Sequence, residues 1–150
     1  MDTPTYTGLS AMLESFTTRA EREFARGYVD CLCWIGHVLP SSEEDADSAE
    51  LDTPDQLPYP FHTSALATFH ADIESFLDYG GDTWELLEEA VATGYVTWAM
   101  LGHDLWLTRN GHGAGYWDRG LGEIGTELTE AAKALGSQDL YVADGYIHVY

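Results

Sequence analysis

HDLWLTRNGHGAGYWDRG, residues 103–120, decides how the second half of this chain is read. DLWLTRN, residues 104–110, reads as a strand, and GHGAG, residues 111–115, as a loop. Glycines there permit the positive φ that a tight reversal needs. YWDRG, residues 116–120, then reads as a return strand. Beyond it, residues 121–135 follow helical spacing, with Leu121, Ile124, Leu128 and Leu135 inward and Gly136 as the stop. DLYVAD and GYIHVY flank Asp144-Gly145, the strongest short-range hairpin signal in the chain. The C-terminal third therefore predicts a ββαββ sheet unit.

Upstream the period is helical. Leu9, Met12, Leu13, Phe16, Ala20, Phe24, Gly27, Tyr28, Cys31, Leu32 and Ile35 share a 3–4 spacing, which predicts one long amphipathic helix over 9–36. His37 suits the negative end of its dipole, and Pro40 closes it. Leu66, Phe69, Ile73, Phe76 and Leu77 predict a second helix over 63–79, stopped by Gly80-Gly81. Asp82-Thr83-Trp84-Glu85 resembles a capping box, so a third helix starts there and continues through Leu87, Val91, Trp98 and Leu101, with a break at Gly94. Residues 41–60 lack periodicity and hold seven acids and three prolines, which reads as an exposed loop. The expected fold class is α+β: N-terminal acidic helices packed with a small C-terminal ββαββ sheet unit, in a single domain over 1–150. Cys31 and Cys33 lie two apart on a helix, pointing to nearly opposite faces, so neither a disulfide nor a shared metal is expected. Reduced cysteines packed in or beside a core fit a cytoplasmic protein.

Charge narrows the partners. There are 26 acidic and 6 basic residues, for a formal net charge of −20. Between Arg26 and Arg109 no Lys or Arg occurs, yet 16 carboxylates do. Nucleic acid and anionic membrane are disfavoured as direct partners, because each needs a cationic surface. No apolar run reaches the ~18 residues of a membrane helix, and the N-terminus has no basic, apolar secretory pattern. Asp72, Asp78, Asp82, Glu85, Glu88 and Glu89 form the expected partner-binding acidic surface. Asp82, Glu85 and Glu88 or Glu89 would stack about 5–6 Å apart along one helix face.

The 109–119 stretch admits two readings. In one, Arg109 and Arg119 clamp an anion, exposed backbone N–H groups assist, and His112 serves as a base oriented by Asp104 or Asp118, with His103 as a ligand or acid. In the other, the two arginines pair with Asp104, Asp118 or nearby glutamates, and Trp106, Tyr116 and Trp117 fill the core. The second is preferred. GHGAG lacks the nucleophile of a GxSxG elbow, and no phosphate-binding strand–loop–helix unit surrounds it. The six histidines show no HExxH or paired spacing, so no metal, no cofactor and no catalytic residue is assigned.

HDLWLTRNGHGAGYWDRG, followed by a helix and DLYVADGYIHVY, resembles the C-terminal part of a group of small phage- and plasmid-borne proteins, mostly uncharacterised. The resemblance covers residues 103–150. It implies a mobile-element context, in which small accessory proteins often block host defence. The function expected is an acidic phage or mobile-element protein that blocks a basic nucleic-acid-binding surface of a host protein in the cytoplasm. This is DNA mimicry of the anti-restriction or anti-CRISPR type. Duplex DNA carries one charge per ~1.7 Å, so twenty charges match roughly 34 Å of duplex. A compact domain of this length has a radius of gyration of roughly 15 Å, hence a similar charge per unit length. Two alternatives stand: a halophile-adapted protein whose acidity is solvation only, and a small enzyme or anion-binding module centred on loop 109–119. A homodimer remains open.

Overall fold

The computed structural model describes residues 6, 8–35, 38–40, 59–112 and 114–149. Among the described residues, six α-helices and a small sheet follow in the order α1 (Leu9–Glu14), α2 (Arg19–Ile35), β1 (Val38–Pro40), α3 (Thr63–Leu77), α4 (Thr83–Ala92), α5 (Trp98–Arg109), α6 (Glu123–Lys133), β2 (Leu140–Ala143) and β3 (Tyr146–Val149). The fold is α+β, and the described residues contain no ββαββ unit.

The single helix expected over 9–36 is two. Glu21 N–H donates to Thr18 Oγ1 at 3.1 Å, and Thr18 N–H donates to Glu21 Oε1 at 3.2 Å. This reciprocal cap starts α2 afresh and lets α1 turn away from it. At α4 the roles expected of the cap change. Asp82 makes no side-chain cap bond, and Thr83 Oγ1 instead donates to Tyr79 O at 2.7 Å. Asp82 keeps its carboxylate for solvent. At α3, His62 occupies the cap, its Nδ1 accepting from Ser64 N–H at 3.1 Å. Pro40 lies in β1, where the sequence implied only a helix end. His37 and the greater part of the acidic 41–60 loop lie outside the described residues.

The expected strand 104–110 is the C-terminal part of α5, and the expected return strand at 116–120 is a short 3-10 turn over Tyr116–Asp118. The cause is position. α5 packs against α2, α4, α6 and the Tyr116–Asp118 turn, so Leu101, Gly102 and every residue from Asp104 to Arg109 are buried. A helical segment surrounded on all sides, as this one is from Asp104 to Arg109, has no polar face, and its sequence loses the helical period. α2 and α5 touch through backbone. A Cβ on Gly27 would lie 2.0 Å from Ala99 O, and one on Gly102 would lie 1.8 Å from Phe24 O. Around this crossing Phe24 stacks on Phe76 and Tyr28 meets Trp106 edge-on, with ring centroids 5.7 Å apart in each pair. Cys31 and Cys33 are free and buried in the same core.

The hairpin at Asp144-Gly145 forms as expected. β2 and β3 pair antiparallel, Ala143 opposite Tyr146, and both turn residues have positive φ, 54° and 78°. This is the primed geometry that matches strand twist. Gly145→Ala places a Cβ in that region and should lower stability by roughly 1 kcal/mol, read as a shift in the urea midpoint. β1 adds to β2 in parallel, Val38 opposite Leu140. On the other side of β3, Phe61 bridges Ile147, with His62 N–H to Ile147 O and Ile147 N–H to Pro60 O, each 2.8 Å. The sheet thereby anchors the start of α3.

Candidate functional site

The acidic surface is built by the end of α3, the turn after it, and α4. α4 buries Thr83, Leu87 and Ala90, which turns Glu85, Glu88 and Glu89 outward. Asp78 ends α3 and Asp82 precedes α4, and both are exposed. These five carboxylates take part in no ion pair among the described residues. α6 packs against α4 and buries Gly125, Leu128, Ala131 and Ala132. Its exposed Glu123, Glu127 and Glu130 share one stripe at i, i+4 and i+7 and extend the acidic character beyond the residues singled out from sequence. Exposed Tyr79 and Tyr95 stand at the two ends of α4, and Trp84 stacks on Trp98 at 4.7 Å.

The five arginines are held elsewhere, and the one lysine, Lys133, is exposed at the end of α6. Arg19 pairs with Glu23 and Arg26 with Asp30, both one turn apart on α2. Arg22 donates to the carbonyls of Phe16 and Thr17. Arg109 pairs with Asp72 at 2.9 Å and Arg119 with Asp104 at 2.8 Å. α3 and α4 contain no Lys or Arg at all.

Asp72 therefore differs from the other five residues of the expected surface. It faces inward, and its Oδ2 accepts from Arg109 Nη1 at 2.9 Å and from Gln138 Nε2 at 3.2 Å. Arg109 Nη1 also donates to Tyr28 OH at 3.0 Å, Nε to Gly136 O at 2.8 Å, and Nη2 to Leu135 O at 3.2 Å. One guanidinium thus ties α2, α3 and the end of α6 to α5. Burial pushes the Tyr28 phenol well above its ordinary range, an effect that Arg109 opposes only in part.

Arg119 grips Asp104, which is fully buried, through Nε and Nη2, both at 2.8 Å. Those hydrogen bonds raise the guanidinium above its ordinary value. Asp118 pairs with neither arginine. Its Oδ1 accepts from Gly115 N–H at 3.0 Å and closes the 3-10 turn. His112 is exposed on the turn after α5. Arg109, His112, Asp118 and Arg119 therefore do not converge. The anion clamp drawn from the sequence needs both guanidinium groups on one ligand, and the structure gives each its own carboxylate. Of the aromatics expected in the core, Tyr116 and Trp106 are there, while Trp117 is 56% exposed.

Among the described residues, no group of three His, Cys, Asp or Glu could hold a metal ion, and no helix is long and apolar enough to cross a membrane. No family model matches the chain, and neither a curated protein nor a solved structure matches it.

Proposed function

We propose that this chain is an acidic binding protein whose α3–α4 surface occupies a basic, nucleic-acid-binding surface of a host protein, in the manner of a DNA mimic. Its setting is the host cytoplasm, as the resemblance to mobile-element proteins implies. One observation carries the reading. Among the described residues, Asp78, Asp82, Glu85, Glu88 and Glu89 are exposed and take part in no ion pair, while all five arginines are engaged away from them. A surface that only solvates gains nothing from segregating its cations. A surface that must present negative potential to a partner does.

Charge reversal tests this. Asp82, Glu85 and Glu89 changed together to Lys should weaken capture of a DNA- or RNA-binding host protein, mainly through the on-rate. The fold should survive, because all three side chains are exposed. Capture by the unaltered protein should fall steeply between roughly 50 and 200 mM salt, and it should displace the partner's nucleic acid. A partner that binds without salt dependence, or that keeps its nucleic acid in the complex, rejects the reading. A chain that folds only in molar salt supports halophilic adaptation instead.

A further inference from the structure

Beside the α2–α5 crossing lies an open pocket of about 330 Å³ lined by Gly27, Asp30, Ala99, Met100, His103 and Arg119. That is roughly ten times the ~30 Å³ share of one water in the liquid. Gly27 leaves its wall without a side chain because α5 backbone presses against it. The charges around it are opposed. Arg119 gives Nε and one Nη2 hydrogen to buried Asp104, which fixes the plane of the guanidinium. Its other edge, formed by Nη1 and the second Nη2 hydrogen, has no partner among the described residues. That edge is the second of the two faces through which a guanidinium takes a carboxylate in bidentate fashion. Ala99 and Met100 lie in the first turn of α5, whose positive end also favours a carboxylate. Asp30, on α2, accepts from Arg26 through Oδ1 alone at 3.2 Å, in a pair that is nearly half exposed and hence weak. Burial lowers the His103 imidazole below its ordinary value, against the pull of Asp104.

These features select among ligands. A free anion must approach a molecule of formal charge −20 to reach an arginine already neutralised by Asp104. A free cation would meet Arg119. A molecule with both charges avoids both penalties. We propose that the pocket binds a small zwitterion of the free amino-acid type, its carboxylate on the open edge of Arg119, its ammonium on Asp30, and its apolar side chain along Met100 and Ala99.

Titration calorimetry of the full chain with each common free L-amino acid tests this. At least one should bind with a Kd below about 1 mM. The N-acetyl derivative and the methyl ester of that amino acid should each bind at least roughly tenfold more weakly, since each removes one charge. Asp30→Asn should weaken the same amino acid roughly tenfold. The Tm of the ligand-free variant should not change, because Asp30 is 44% exposed. The proposal is overturned if no amino acid reaches about 1 mM. It is also overturned if either derivative binds as well as its parent, or if Asp30→Asn binds as tightly as the unaltered protein.

Discussion

Gly102→Ala is expected to remove most of this protein's stability. The added Cβ would sit 1.8 Å from the carbonyl oxygen of Phe24, and 3.0 Å from the backbone nitrogen of Tyr28. The obstacle is backbone of a neighbouring helix, so no rotamer change relieves it. α2 and α5 must move apart by more than an ångström, and the packing of Phe24 on Phe76 and of Tyr28 on Trp106 opens with them. Overpacking in a core that can adjust costs about 1–3 kcal/mol. Here the core cannot adjust locally, so a loss above about 3 kcal/mol is expected, out of a total of roughly 5–15 for a domain. Gly27→Ala should behave alike, because its Cβ would meet Ala99 O at 2.0 Å. Gly8 is the control: it has extended backbone and no atom within 4 Å of a built Cβ, so Gly8→Ala should stay within roughly 0.5 kcal/mol. Urea unfolding followed by far-ultraviolet circular dichroism reads all three. Equal midpoints for Gly102→Ala and Gly8→Ala would show that the helices do not meet through backbone.

The same crossing explains what the sequence hides. α3 was legible because one of its faces is wet: Leu66, Phe69, Ile73, Phe76 and Leu77 are buried while Ser64, Ala71, Glu74 and Ser75 are exposed. The hairpin was legible because Asp144-Gly145 encodes a local conformation that needs no distant partner. α5 was not legible. Its Leu105, Trp106 and Leu107 are all buried, and a run of consecutive apolar residues reads as a strand when the surrounding helices are unknown. The break between α1 and α2 did carry a signal, Thr18 with Glu21 three residues on, but the apolar stripe runs through it and masks it. The acidic surface was legible on α4, where charge and helical spacing coincide. Asp72 was not separable from its neighbours, because the partner that turns it inward lies 37 residues away. The Asp30–His103–Arg119 pocket joins three elements and leaves no mark at any one of them.

Arg109→Ala should cost about 3–5 kcal/mol, the range for breaking a buried ion pair by removing one partner. The side chain is only 3% exposed, and each of its three nitrogens has an acceptor. Deletion strands Asp72 beside Tyr28 and frees the carbonyls of Leu135 and Gly136 at the end of α6. Asp72 is 24% exposed and can draw partly on water, so Asp72→Asn should cost less than Arg109→Ala. Arg109→Lys should recover only part of the loss. An ammonium is a compact point donor and cannot span acceptors on three different elements in the guanidinium plane. Asp118→Ala should cost only about 1 kcal/mol, since Asp118 holds the Gly115 amide and no cation. His112→Ala, on the exposed turn, should be nearly neutral. A stability of Arg109→Ala within roughly 0.5 kcal/mol of the parent would contradict the network and return Arg109 to the candidates for ligand binding. If instead the ranking holds, the conspicuous 103–120 stretch owes its composition largely to structure: Arg109 and Asp104 anchor it inward, Gly115 and Asp118 shape its turn, and His103 and one edge of Arg119 line the pocket.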